Sequence, residues 1–287
     1  MLGFEHNLTA DEYGIWRAGR SYSLSYPERG NEACFQLEDA SFWFRHRNEC
    51  ISAAVRRYPP SANGPIVDVG GGNGFVTKRL IDEGFRAVLV EPGPAGALNA
   101  KTKRQLPGVV CATFEDVGFQ PDSLSAVGMF DVLEHLEDDA ALLERVHAAL
   151  MPGGMLYATV PAHQWLWSLS DVTAGHYRRY NTTSLRGLLS HSYEFLYSTY
   201  FFEPLVLPLL LLRSLPFRIG LARKRNVMPP ATEHGTRGGV MSSALASLLG
   251  REVWRIEQGK VMSTGTSLLV VGKKPAADDA QRAAERA

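Results

Sequence analysis

The chain has 287 residues, with 30 basic and 30 acidic side chains and 45% hydrophobic residues. That is an ordinary globular composition, long enough for one α/β core plus an embellishment. Zero net charge supplies no global field to steer the protein to nucleic acid, which argues against an RNA or DNA substrate. Cys34, Cys50 and Cys111 are odd in number and share no metal-ligand spacing, so reduced thiols and no metal are expected. Residues 1–30 lack a basic-then-apolar leader pattern, and a cytoplasmic location is expected.

Residues 1–64 contain no strand–turn–helix unit. They are aromatic and charged and lead into Phe42-Trp43-Phe44-Arg45-His46-Arg47 and a helical pattern that Pro59-Pro60 ends, which predicts an N-terminal helical cap over the ligand end of a sheet. The core then alternates over 65–202. Strands are predicted at 65–69, 86–90, 108–112, 125–131 and 154–160, and helices near 74–83, 94–105 and 138–150. The last helix is the most clearly amphipathic, through Leu142, Leu143, Val146 and Leu150, with Asp138 or Asp139 able to cap it. Strands near 194–202 and within 263–275 complete a doubly wound, seven-stranded, mostly parallel sheet of α/β class. Residues 203–262 read as a mostly helical insertion before the last strand, and 276–287 as a frayed tail rich in alanine and charge.

The most informative segment is Asp68-Val69-Gly70-Gly71-Gly72-Asn73-Gly74, which follows the apolar pair Ile66-Val67 and opens a helix. It reads as the strand–turn–helix corner where such sheets bind nucleotides. No frame gives the dinucleotide fingerprint G-x-G-x-x-G/A, because Phe75 or Thr77 stands at the third position. Asp68, just ahead of the turn, repels a pyrophosphate and attracts a cation. A nicotinamide oxidoreductase is therefore disfavoured.

Strand-Asp-x-Gly-x-Gly-x-Gly resembles the loop of class I S-adenosylmethionine (SAM)-dependent methyltransferases, which have a Rossmann-like fold. The stations that follow agree with that resemblance. Glu91 ends the apolar strand Ala87-Val88-Leu89-Val90, where a carboxylate can accept both hydroxyls of an adenosine ribose. Phe130-Asp131-Val132-Leu133-Glu134-His135-Leu136 and Leu150-Met151-Pro152-Gly153-Gly154 resemble the family pattern further along. At the adenine station the family usually places an Asp where Thr113 stands, so Glu115, Asp116 or the Phe114 backbone are the candidates there. The resemblance implies SAM as cofactor, held by Arg47, Asp68, Gly70, Gly72, Asn73, Gly74, Glu91, Phe114, Glu115, Asp131 and Val132. Arg47 could clamp the methionine carboxylate or be a solvated helix charge.

The Phe42–Arg47 segment, with Trp165-Leu166-Trp167-Ser168, Asp171 and Gly175-His176-Tyr177-Arg178-Arg179-Tyr180, is similar to a bacterial subgroup of these enzymes. Residues 161–180 follow the fifth predicted strand and should roof the cleft. Trp165, Trp167, Arg178, Arg179 and Tyr180 are candidates for the acceptor side; a structural tether, with Arg178 or Arg179 pairing Asp171, is the alternative. His135, His163, His176 and Asp171 are candidate bases.

The favoured function is methyl transfer to an oxygen, ahead of a nitrogen, of a small or medium-sized acceptor. A SAM-binding protein without turnover that docks a partner is the alternative. Leu205–Leu212 contains Pro208 and is too short to span a bilayer. Arg213, Arg218, Arg223, Lys224 and Arg225 follow it without an acid. Packing on its own domain or on a second subunit of a homodimer is the favoured reading of this stretch. Peripheral membrane contact, with a lipid-linked or amphiphilic acceptor, is the other.

Overall fold

The computed structural model describes residues 8–20, 30–60, 64–190, 192–221 and 240–276, which build a nine-stranded sheet. Its strands are β1 (Leu8–Ala10), β2 (Trp16–Ala18), β3 (Ile66–Val69), β4 (Ala87–Val90), β5 (Val109–Cys111), β6 (Leu124–Phe130), β7 (Leu150–Pro161), β8 (Glu194–Phe201) and β9 (Ser267–Lys273). They lie in the order β1-β2-β5-β4-β3-β6-β7-β9-β8. Strands β2, β5, β4, β3, β6 and β7 run parallel, β9 is antiparallel to β7, and β8 is antiparallel to β9. The α/β class and the mostly parallel sheet agree with the sequence reading, and each of the seven expected strands is present.

The count of seven is corrected to nine, because β1 and β2 extend one edge. Their turn is closed by Asp11, whose carboxylate accepts from the amides of Tyr13 and Ile15 and pairs with Arg17 Nε at 2.7 Å. Three-residue strands are too short to show a period of two, which is why the N-terminal segment read as helical alone. Its helices are α1 (Gly30–Glu38) and α2 (Phe42–Arg57). The core helices are α3 (Phe75–Asp82), α4 (Pro94–Thr102), α5 (Phe114–Val117), α6 (Asp139–Ala149), α7 (Leu169–Ala174) and α8 (Thr182–Leu189). The expected tail lies outside the described residues apart from Ala276, as do residues 222–239 of the insertion.

Alternation along β3 sets the site. Val67 and Val69 join the core under α6 and α8, whereas Ile66 faces the opposite core, beneath α2 and α3. Asp68 shares the face of Ile66 and so points its carboxylate toward α3. The sheet order reverses at β3, between β4 and β6, which is where a crevice opens beyond the carboxyl ends of the strands.

The C-terminal helix Val240–Glu257 packs on α2 and is fastened by one buried acid. Glu252 accepts from His46 Nε2 at 2.8 Å, from the Phe202 amide at 2.8 Å and from the Glu203 amide at 2.7 Å. Phe202 also stacks on Trp43, with ring centroids 5.6 Å apart. The other described part of the insertion, residues 203–221, only half meets the packing expectation. Leu205 packs on the core and Ser214 is buried, but Leu207, Leu211, Leu212, Leu215, Ile219 and Leu221 are exposed. No helix among the described residues is long and apolar enough to cross a membrane.

Glu252→Ala removes one acceptor from three buried or half-buried donors. It should lower the unfolding free energy by about 3 kcal/mol, read by urea denaturation. A loss under about 1 kcal/mol would show that this junction is dispensable.

Candidate active site

The glycine turn is shaped by close approach. Gly70, Gly72 and Gly74 all have positive φ, at 68°, 56° and 75°. A Cβ on Gly71 would sit 2.6 Å from the Asp68 carboxylate, and one on Gly70 would sit 2.9 Å from Val132 Cγ2. At Gly74 the constraint is packing, since a Cβ there meets Leu106 at 2.5 Å. Asn73 turns inward: its amide donates to Asn31 O and Glu38 Oε1 and its oxygen accepts from Asn99. Its side chain thereby fixes the turn to α1 and α4.

Two carboxylates flank the turn. Asp68 is fully buried, and Thr77 Oγ1 donates to its Oδ2 at 2.5 Å while Oδ1 has no hydrogen-bond partner. Burial pushes its carboxyl up to about 6, against the opposing Thr77 bond and Arg47 charge. Glu91 lies just beyond β4 and accepts from the Gly72 amide at 2.8 Å and the Gly93 amide at 2.7 Å. Burial raises it to about 7 in spite of those two bonds, and the negative Asp68 adds to the rise. Each Glu91 oxygen still has a lone pair for a ligand hydroxyl.

At the end of β6, Asp131 holds a positive φ of 59°. Its amide donates to Thr159 O, and its Oδ1 accepts from Thr159 Oγ1 at 3.0 Å. Its Oδ2 lies 2.5 Å from Arg47 Nε. That contact is coulombic rather than an aligned hydrogen bond, since Nε counts among the buried atoms lacking one. Arg47 Nη2 donates to Phe130 O at 2.7 Å. The buried guanidinium is therefore engaged with the end of β6 and is not the solvated helix charge that the sequence left open.

Glu134, quoted in the sequence pattern but given no role there, is buried with Oε2 lacking a partner. Burial, with Asp131 adding its charge, raises its carboxyl well above the usual range. No periodicity marks it, because its burial comes from the roof: the Tyr177 amide donates to its backbone carbonyl at 2.7 Å.

The adenine station divides. Phe114 is buried and packs on Phe119, with ring centroids 5.0 Å apart. Glu115 is exposed and paired with Arg145 of α6. Thr113 caps α5 by accepting from the Asp116 amide, and Asp116 returns its carboxylate to the Thr113 hydroxyl.

The roof is tied down by the very side chains proposed to line it. Arg179 forks onto Asp171, Nε to Oδ1 at 2.7 Å and Nη2 to Oδ2 at 3.1 Å. Asp171 also accepts from His176 Nδ1 at 3.1 Å and from the Ser168 amide at 2.8 Å. Burial alone would raise Asp171, but these donors and the Arg179 charge outweigh it and hold the carboxyl below its ordinary value. Arg178 does not reach Asp171; it pairs with Asp139, which also accepts from the Tyr180 hydroxyl at 2.6 Å. Trp165 is exposed and Trp167 half-buried.

Of the four candidate bases, His135 and His176 stand together, their rings edge to face at 4.7 Å. Burial, then the neighbouring His176, pulls His135 down to about 4, so it is neutral at neutral pH. His163 is apart, stacked between Trp165 at 5.0 Å and Tyr200 at 4.7 Å, and lowered by burial and by Arg179. The donor atoms of Glu134, His135 and His176 lie within 4.8 Å of one another, as do those of His46, Cys50 and Glu252. Such spacings can hold a divalent ion. Neither set was visible as a sequence motif, because each draws ligands from distant segments.

The sequence profile of the family described as "Methyltransferase domain" matches residues 43–195. The ubiquinone biosynthesis O-methyltransferase of Methylobacterium sp. (strain 4-46) is 30% identical over 103 residues, 34% of this chain and 41% of that protein. The chain thus spans less than half the length of that curated relative. A SAM-dependent methyltransferase of Thermotoga maritima superposes with a TM-score of 0.53 at 16% identity, over 86% of this chain and 97% of that one. Phosphoethanolamine N-methyltransferase 2 of Haemonchus contortus, in complex with phosphomonomethylethanolamine and S-adenosylhomocysteine, gives 0.54 at 17% identity, over 88% and 58%. At such identities the likeness is one of fold. The profile match covers more than half of the chain and takes in the glycine turn, both flanking acids and the roof, so the chain belongs to the methyltransferase domain family, with a class I, Rossmann-like fold.

Proposed function

We propose that this chain moves a methyl group from SAM to an oxygen, ahead of a nitrogen, of a small or medium-sized acceptor. It falls in the bacterial subgroup that its Phe42–Arg47 and Gly175–Tyr180 segments resemble. The cofactor is SAM. One observation carries the reading: a bare glycine turn flanked by two buried carboxylates lies at the sheet edge that also bears an aspartate-oriented histidine.

The residues present fit that cofactor. Asp68, Asp131 and Glu134 lie in the field of Arg47, with Glu91 beside Asp68, and Asp68 Oδ1 and Glu134 Oε2 are buried without hydrogen-bond partners. A ligand with sulfonium and ammonium charges suits such an acid-rich site. Gly70 and Gly72 supply bare backbone, Glu91 the ribose contact, and Asp131, Val132 and Phe114 the adjoining walls. Arg47, already engaged with Asp131 and Phe130, serves by holding Asp131 in place rather than by clamping a carboxylate.

When bound, the cofactor supplies a methyl on a sulfonium whose sulfur leaves as a neutral thioether. The chain's own work is to position the acceptor, exclude water and take its proton. His176 is the base. Asp171 holds its Nδ1 side, fixing the tautomer that keeps Nε2 able to accept a proton from an acceptor hydroxyl. Asp171 is buried and of lowered basicity, so it positions His176 and is not itself the base. His135 lines the site as a neutral ring, and Trp165 and Trp167 offer aromatic surface to the acceptor. An oriented base favours a hydroxyl acceptor, in keeping with the O-methyltransferase name of the Methylobacterium relative. A binding protein without turnover has no use for one.

Three measurements test this. Asp68 and Glu91 titrate near 6 and 7 because burial disfavours their charged forms. A cationic ligand reverses that preference, so binding expels protons and tightens as pH rises through this range. Calorimetry should show SAM affinity rising roughly tenfold from pH 5.5 to 8, with proton release seen by changing the buffer. A flat profile would remove both acids from the site, and uptake of NAD in place of SAM would overturn the assignment.

Next, His176→Ala should cut release of S-adenosylhomocysteine, assayed over a panel of phenols and alcohols, by about 10²–10³-fold. SAM affinity should stay within about threefold of wild type. Unchanged turnover would exclude His176 as the base.

Last, Asp171→Asn should cost about 2–4 kcal/mol of stability near neutral pH. A depressed carboxyl stabilises the fold above its unfolded pKa, and that contribution fades as pH falls through the lower, folded value. The gap between wild type and Asp171→Asn should therefore shrink below about pH 4, and a gap that is constant with pH would contradict the ion-pair account.

A further inference from the structure

Residues Glu203–Arg218 turn through a run of short helical segments that lie against the roof. The inward side is fixed: the buried Ser214 hydroxyl donates to Leu166 O at 2.7 Å, and Arg218 Nη2 donates to Trp165 O at 2.9 Å. The outward side carries Leu207, Leu211, Leu215 and Ile219 at helical steps of four, with Leu212 beside them. Leu207, Leu212 and Ile219 are 61%, 76% and 61% exposed. A surface helix ordinarily turns polar side chains to water and apolar ones to the core. This stretch presents leucines on both sides, which marks a face built to be covered.

Charge identifies what covers it. The whole chain is neutral, yet residues 204–232 hold Arg213, Arg218, Arg223, Lys224 and Arg225 and no acid. Outward leucines on a segment whose only charges are cationic match a bilayer, whose acyl boundary takes the leucines and whose anionic headgroups attract the cations. A symmetric dimer through this face would instead set an acid-free segment against its own copy.

We propose that residues 204–221 form a docking surface for an anionic membrane, binding peripherally with the apolar face in the headgroup–acyl boundary. Because Ser214 and Arg218 are bonded to Leu166 and Trp165, docking brings the roof to the bilayer, where an acceptor with a lipid tail reaches the cleft. That last step rests on the methyl-transfer reading; the docking does not.

The test is flotation of the full chain with phosphatidylcholine vesicles containing about one third phosphatidylglycerol. The chain should float with these vesicles and not with pure phosphatidylcholine, and roughly 0.5 M salt should release it. Leu211→Glu/Leu212→Glu should lower the bound fraction at least about tenfold, with thermal unfolding and SAM calorimetry unchanged. Should that variant fold poorly, Leu207→Glu/Ile219→Glu, both exposed on the same face, serves in its place, with the same loss expected. The proposal is overturned if the wild-type chain stays below the vesicles, or if the variants float as it does. It is equally overturned by a dimer in solution that Leu211→Glu/Leu212→Glu splits while wild type fails to float.

Discussion

One buried guanidinium organises the cleft. Arg47 reaches from α2 to the end of β6, and its charge opposes the burial-driven rise of Asp68 and Glu134 while pairing Asp131. Removing carboxylates from water is costly unless they are paired or protonated, and a single cation does not satisfy three acids. That imbalance suits a positively charged ligand better than a phosphate. It also explains why Asp68 titrates near 6, fully buried with its charge only partly offset by Thr77 and Arg47.

Arg47 can do this only if α2 is docked, and α2 is docked by residues far along the chain. His46, its neighbour, bonds to Glu252, and Trp43, one turn earlier, stacks on Phe202. The C-terminal helix thus fixes the electrostatics of a cleft to which it contributes no expected ligand contact. Helix α2 transmits position because its inward face is packed along its length by Cys50, Ile51, Ala54 and Val55.

This division governs what could be read from sequence. The glycine turn, Glu91, the central strands and the amphipathic α6 are written in contiguous residues, and periodicity or turn chemistry reveals them. The strands β1 and β2 escape because three residues carry no period. Glu115 is a candidate at the adenine station through the family resemblance, yet α5 begins at Phe114 and turns Glu115 outward to Arg145. Glu134 and Glu252 are unremarkable acids in sequence, and only partners from remote segments give them their burial. Arg178 and Arg179 are adjacent and alike, but α6 supplies Asp139 to one and α7 supplies Asp171 to the other.

The same dependence on remote partners appears where backbone strain collects. Strands β6, β7 and β8 are each followed within two residues by a non-glycine residue at positive φ: Asp131 at 59°, His163 at 61° and Phe202 at 61°. Such conformations cost about 1–3 kcal/mol each and persist only where surroundings enforce them. Each of these amides is bonded to another element: Asp131 to Thr159 O, His163 to Tyr180 O at 2.6 Å, and Phe202 to Glu252 Oε2 at 2.8 Å. Three strands that point the same way all turn sharply at one edge of the sheet. Glycine solves that problem after β3, at Gly70, where a side chain would strike Val132. After β6 and β7 a polar side chain stands at the turn instead, and bonds to Thr159 O and Tyr180 O hold the strained backbone. The roof therefore has two tasks that one set of bonds performs together, closing the cleft and keeping its edge in a conformation that the local sequence would not adopt alone.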